Sequence, residues 1–306
     1  MKAIIYRRYG GPEVLEFADV PDPKVSQNSV LIGVKAAALN PADHVLQAGL
    51  GDSMMDTWFP VIPGWDVAGV VELVGAGVTE FDAGDEVIGF VREEILHHGT
   101  YAEKISVPAS SLVRKPTNAT WTQAAGLPLA GLTAYQAIVQ TLKVTKGETV
   151  LIHGASGGVG SLAAQIAVAR GARVIGSGSE HTHSYLRSIA VEPVLYGESL
   201  ASQVRSLVPN GADVILHCGG RGVLALNAQL GGTGVRVCSV ADGAPGVTTV
   251  FARMDQTDLL ELVELVEAGS LTVHVGATYP LEDAARAQLA LRNGGKAPGK
   301  IVLEVS

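Results

Sequence analysis

Apolar residues follow two different rhythms along this chain. Up to about Trp121, short β-rich runs are separated by clusters of Gly, Pro, Asp and Asn: 2-KAIIY-6, 29-SVLIGVKAAAL-39, 67-VAGVVELVG-75, 85-DEVIGF-90 and 101-YAEKISV-107. Runs bounded in this way predict strands. No long helical pattern lies between them, so they predict antiparallel pairing in a barrel-like unit. At 121-WTQAAGLPLAGLTAYQAIVQTL-142 the rhythm becomes helical, with a break near Gly126–Pro128. Strands at 149–154, 172–177, 193–196, 213–218 and 235–240 then alternate with helices at about 159–170, 183–190, 198–208 and 221–230. That alternation predicts a parallel, doubly wound sheet. The segment 255-DQTDLLELVELVEAG-269 carries apolar residues at helical spacing and closes the series. The last stretch, 271–306, reads as strand, helix and strand, with 300-KIVLEV-305 able to join either unit.

The junction of the first predicted parallel strand and its helix, 153-HGASGGVGSLAAQIA-167, is nearly bare backbone. A strand that ends in glycines at a helix N-terminus makes an anion site, because the first helical N–H groups lack partners and the helix dipole is positive there. Aligned to the dinucleotide fingerprint, the stretch gives Ala155-x-Gly157-x-x-Gly160, with an alanine where the first glycine usually stands. Gly154, Ala155, Ser156, Gly157, Gly158, Val159 and Gly160 are therefore the expected pyrophosphate cradle. A carboxylate at the end of the second strand would take a ribose 2′-hydroxyl. Here that strand ends in 174-VIGSGSEHTHSYLR-187, and its first acid, Glu180, comes late. Ser177, Gly178, Ser179, His181 and His183, with Arg187 beyond them, suit a 2′-phosphate better. NADPH is the expected cofactor.

Composition narrows the classes. The 306 residues are 47% hydrophobic and 17% charged, enough for a large core in two domains. A net charge of −8 argues against a nucleic-acid partner, which would want a basic stripe. Two cysteines, Cys218 and Cys238, make neither a disulfide framework nor a four-thiolate zinc site, and read as small core residues. No run is long enough for a membrane helix, and the N-terminal apolar run is too short for a signal peptide. A soluble, cytoplasmic protein is expected.

The combination of 38-ALNPAD-43, 63-PGWDVAGVV-71, 84-GDEVIG-89, 99-GTYAE-103, 126-GLPLAGLTAYQAI-138, 153-HGASGGVG-160 and 299-GKIVLEV-305 resembles the zinc-independent quinone oxidoreductases of the medium-chain dehydrogenase/reductase superfamily. The resemblance covers essentially the whole chain. It implies an α/β protein with a GroES-like β-barrel catalytic domain, residues 1–122 and 270–306, and an NAD(P)-binding Rossmann domain, residues 123–269. The active site would lie in the cleft between them, and the protein would be a homodimer that pairs through the edge of 235–240. Zinc-dependent relatives place a cysteine just after the strand matching 29–39 and a His-Glu pair after the glycine matching Gly64. This chain has Asn40–Pro41 and Trp65–Asp66 there. His97–His98 offers no ligand set, since adjacent side chains diverge, and no metal is expected.

On this reading Asn40, Asp43 and Thr133 are the catalytic candidates, near the nicotinamide and the substrate oxygen. The structural alternatives are an Asx-type turn before the proline for Asn40, capping of a short helix for Asp43 and a helix-surface position for Thr133. Tyr196, Cys218, Gly219 and Val240, at strand ends, and Lys300, near the cleft, complete the cofactor contacts. Met54, Trp58 and Phe59 are expected to form a wall or lid for a planar substrate. His153 and His217 read as satisfied structural groups. No proton donor is evident. The expected activity is reduction of a small quinone or enone. Reduction of an enoyl thioester and a non-catalytic, nucleotide-binding role stay open.

Overall fold

The computed structural model describes residues 1–219, 222–294 and 297–306. Two sheets organise the chain. The first contains six parallel strands in the order Val191–Leu195, Arg173–Gly178, Thr149–His153, Ala212–His217, Gly231–Ser239 and Thr248–Thr249. Numbered along the chain this is 3-2-1-4-5-6, the doubly wound order, with its switch point between the strand Thr149–His153 and the strand Ala212–His217. The central strands Arg173–Gly178, Thr149–His153 and Ala212–His217 are mostly buried because the middle of a parallel sheet is covered on both faces. Helices Gly158–Ala169, His183–Ser188 and Leu200–Leu207 make the crossovers. The expected helix at 221–230 is a 3₁₀ turn, Val223–Leu226, running into a short α-helix, Asn227–Leu230; Arg221 lies outside the described residues.

The second sheet is mainly antiparallel. Its order is Val275–Pro280, Lys300–Glu304, Ser29–Ala38, Asp66–Val74, Glu86–Phe90 and Leu112–Arg114, with Lys104–Pro108 also paired to Ser29–Ala38. The terminal strand therefore returns to the N-terminal unit. Alternation along Ser29–Ala38 puts Val30, Ile32 and Val34 in the core.

One apolar cluster joins the two sheets. Ala36, Ala38, Ala68 and Phe90 from the second pack with Ala124, Leu127 and Ala130 from the intervening helices, and these with Val150 and Ile152 of the first. Small residues at this junction let the elements approach closely. The edge of the parallel sheet differs from expectation. Thr248–Thr249 pairs beyond Gly231–Ser239, so 235–240 is not the last strand. A two-residue strand leaves no periodicity to detect.

Candidate active site

The glycine turn is held by tight backbone packing. Gly154 has φ +73°, a left-handed conformation that glycine adopts without a steric penalty. The tight turn thus falls one residue before the fingerprint's first position. Ala155, fully buried, is tolerated there because it need only continue the strand, its N–H bonding Ser177 O at 3.1 Å. A Cβ at Gly160 would lie 2.2 Å from Gly154 O, so the helix can seat on its strand only as glycine. A Cβ at Gly158 would strike the Lys300 stem at 2.8 Å. Gly157 is different: its Cβ would meet nothing nearer than Gly154 O at 3.4 Å, ordinary contact. No neighbour in the chain demands that glycine, whereas a pyrophosphate lying on the backbone would. Gly157 also caps the helix Gly158–Ala169 without a side chain, so no side-chain oxygen occupies the first helical N–H groups, the arrangement an anion would need. These features fit a pyridine dinucleotide.

Below the turn is a buried polar network that the sequence reading only partly found. Asn40 Nδ2 donates to Asp66 Oδ2 at 2.9 Å, and Asn40 Oδ1 accepts from Lys300 Nζ at 2.6 Å. Lys300 Nζ also donates to Leu39 O at 2.9 Å and stands 3.6 Å from Asp66 Oδ2. Asp66 Oδ1 accepts the Leu129 N–H at 2.7 Å, an otherwise orphaned donor in the first turn of the helix Pro128–Tyr135. Burial drives the Asp66 carboxyl up and the Lys300 ammonium down, each opposed by the other's charge. Asp43 completes the set. Its Oδ2 accepts Asn40 N–H at 2.8 Å and Tyr101 O–H at 2.7 Å. Burial pushes its carboxyl up to about 7, against those two donors. Asp43 lines a small cleft with Tyr6, Leu46, Val61, Trp65 and Leu96.

The network meets the glycine turn directly. Gly299 N–H donates to Ser156 O at 2.9 Å, and Gly157 and Gly299 form an isolated parallel bridge. Of the expected residues, Asn40, Asp43, Lys300 and the 154–160 cradle are thus brought together. Asp66 was missed as a member. It was noted only as standing, with Trp65, where zinc-dependent relatives carry a His-Glu pair.

Other expectations are revised. Lys300 offers no free cation to a phosphate, because its ammonium is buried and committed to Leu39, Asn40 and Asp66. Ser177 turns inward: its hydroxyl meets His153 Nδ1 at 3.3 Å and Gly154 N–H at 3.4 Å, which removes it from a 2′-phosphate. Thr133 spends its hydroxyl proton on Leu129 O at 2.7 Å, within its own helix. Gly178 ends the second strand and Ser179 follows it; His181 is exposed and His183 half-buried beyond. Tyr196 is exposed after the third strand, while Cys218, Gly219 and Val240 are half-buried after the fourth and fifth. Met54 and Trp58 lie at the surface and outside the Asp43 cleft. Phe59 packs edge-on against Tyr6 and Tyr9 instead. His153 and His217 stack at 4.6 Å, but His153 Nε2 and His217 Nδ1 are buried without partners, so the pair is not fully satisfied. The His97 and His98 rings do not diverge; their centroids are 4.0 Å apart. Among the described residues no three His, Cys, Asp or Glu side chains cluster as a metal site.

This fold and cradle define a pyridine-nucleotide-binding oxidoreductase acting on a small molecule. The alcohol dehydrogenase GroES-like domain matches residues 26–117, and the zinc-binding dehydrogenase family matches residues 188–303. A quinone oxidoreductase from Sus scrofa is 33% identical over 99% of this chain and 97% of its own length. An NADPH-dependent alkenal/one oxidoreductase from Arabidopsis thaliana is 39% identical over 63% of this chain and 51% of its own. A solved NAD-dependent alcohol dehydrogenase superposes with a TM-score of 0.92 at 32% identity, covering 100% of both chains. The quinone oxidoreductase from Coxiella burnetii gives 0.87 at 28%, covering 100% of this chain and 99% of that one. The chain belongs to the quinone oxidoreductase family of the medium-chain dehydrogenase/reductase superfamily.

Proposed function

We propose that this enzyme uses NADPH to reduce small quinones or α,β-unsaturated carbonyl compounds, without a catalytic zinc ion. The observation that carries this reading is the Asn40–Lys300–Asp66 network. Asn40–Pro41 and Trp65–Asp66 stand where the zinc-dependent relatives place a cysteine and a His-Glu pair, and the Lys300 ammonium is bonded to Asn40 and lies beside Asp66. An ammonium held by a carbonyl, an amide oxygen and a carboxylate leaves no converging lone pairs for zinc. Bound reduced nicotinamide would supply the hydride. The chain's contribution is placement, exclusion of water and stabilisation of the charge that develops on the acceptor's oxygen.

Support for the 2′-phosphate comes from the exposed His181 and Arg187 and the missing carboxylate at Gly178. The likeness to an NAD-dependent dehydrogenase favours NADH as the second reading. The test is direct. Purified protein is mixed with NADPH or NADH and with 1,4-benzoquinone, a small enone or an enoyl-CoA, and reduced-nicotinamide absorbance is followed. We expect quinone or enone turnover with NADPH that exhaustive chelation leaves intact. Equal or tighter NADH binding overturns the cofactor choice, and turnover confined to enoyl-CoA overturns the acceptor. We place the domain boundaries at residues 122/123 and 269/270. The unpaired Cys218 and Cys238 support a cytoplasmic location, and a homodimer joined along the Thr248–Thr249 edge is supported by Phe251 standing exposed beside it.

A further inference from the structure

Reduction by hydride leaves a negative charge on the acceptor oxygen, and a proton must meet it. We propose that Asp43 is the acid that delivers that proton, from its Oδ1 atom, into the cleft lined by Tyr6 and Trp65. This rests on the reductase reading above.

The geometry divides the carboxyl group between two tasks. Oδ2 accepts both of the group's hydrogen bonds, from Asn40 N–H and Tyr101 O–H. Among the described residues no donor reaches Oδ1, and Asp43 lines the cleft. A proton therefore has one favourable place, Oδ1, because Oδ2 already has two donors aimed at it. The walls contributed by Leu46, Val61, Trp65 and Leu96 are mainly apolar, which favours the neutral acid before the reaction. Burial supports this by raising the group to about 7, where acid and base forms are both accessible at neutral pH. The titratable groups facing Asp43 are Tyr6, just after the strand Lys2–Ile5, Tyr101, Asp66 and Lys300 in the network, and His97 and His98 on the cleft wall. Asp66 raises Asp43 and Lys300 lowers it.

The balance is simple. Bound reduced nicotinamide would supply the hydride to a two-electron acceptor and be oxidised in doing so. The Asp43 O–H bond breaks and a new O–H bond forms on the acceptor oxygen. The Asp43 carboxylate that remains is held by Asn40 N–H and Tyr101 O–H until solvent reprotonates it.

Asp43→Asn keeps an oxygen for both donors and removes the acid. We expect it to slow quinone and enone turnover by about 100-fold or more while NADPH affinity changes less than about threefold. Wild-type kcat should fall as pH rises through the carboxyl's titration, and that break should vanish in Asp43→Asn. Tyr101→Phe removes a donor that favours the carboxylate, so it should move the break to higher pH, a shift that general damage to the fold would not give. Independently of turnover, carbon-13 NMR of aspartate-labelled, cofactor-free protein should show one carboxyl titrating near 7 that is absent in Asp43→Asn. An active wild type whose Asp43→Asn variant keeps its rate within twofold, or an Asp43 signal titrating near 4, overturns the acid alone. A wild type that oxidises NADPH with neither acceptor overturns the reductase reading and the acid's role with it.

Discussion

Gly157 is the residue at which the chain's own packing and its ligand's needs separate. A methyl group fits there within the fold, at 3.4 Å from its nearest neighbour, whereas at Gly160 it would overlap Gly154 O at 2.2 Å. Gly157→Ala should therefore leave stability within about 1 kcal/mol, the range of a changed N-cap, yet weaken NADPH binding by roughly tenfold or more. Gly160→Ala should lose stability as well, by about 1–3 kcal/mol, because the helix must shift off its strand. Thermal unfolding without cofactor, together with fluorescence titration, reads both effects. If Gly157→Ala binds as tightly as wild type, the pyrophosphate does not lie on that backbone.

Among the elements, the terminal strand Lys300–Glu304 joins most parts of the site. It pairs with Ser29–Ala38, is bridged to the glycine turn through Gly299, and sends Lys300 into the network. Asp66, from the strand Asp66–Val74, caps the helix Pro128–Tyr135, whose own N-cap, Leu127, has no acceptor side chain. Removing one charge strands the other in a buried place. Asp66→Ala should cost about 3–5 kcal/mol in urea unfolding, and pairing it with Lys300→Met should restore much of that loss. Additive losses in the double variant would show that the two charges do not depend on each other.

For the whole molecule, the core that runs through both sheets predicts that heat unfolds them together. Acid should weaken the molecule at the stacked histidines. Burial lowers His153 from its ordinary 6.5 to about 3, so the folded state refuses a proton that the unfolded chain accepts. That contribution is complete above 6.5 and is lost as pH falls from there toward 3. Asp43 acts in the opposite sense, since its raised carboxyl makes folding more favourable as pH falls from about 7 toward 4. His153→Phe should flatten the acid side of a stability-against-pH curve, and an unchanged slope would remove His153 as its cause. Sedimentation should show a dimer at micromolar concentration, and Phe251→Asp should shift it toward monomer.

The sequence by itself determined the two sheets, their order along the chain and the bare glycine turn between the first parallel strand and its helix. These follow from local periodicity and from glycines that need no distant partner to be read. Tertiary structure decided which side chains are free to act. Lys300 and Asn40 are 260 residues apart, and Tyr101 and Asp43 are 58 apart. Whether a lysine faces a phosphate or a buried carboxylate, and whether an aspartate carries a proton at neutral pH, depends on the burial and partners that such long-range packing creates. For the same reason Ser177 looked like a cofactor contact and Thr133 like a catalytic residue in sequence, yet both fold with their hydroxyls bonded inside the chain. Asp66 was noted in sequence only as a departure from a zinc-ligand pair, but it helps hold the site together.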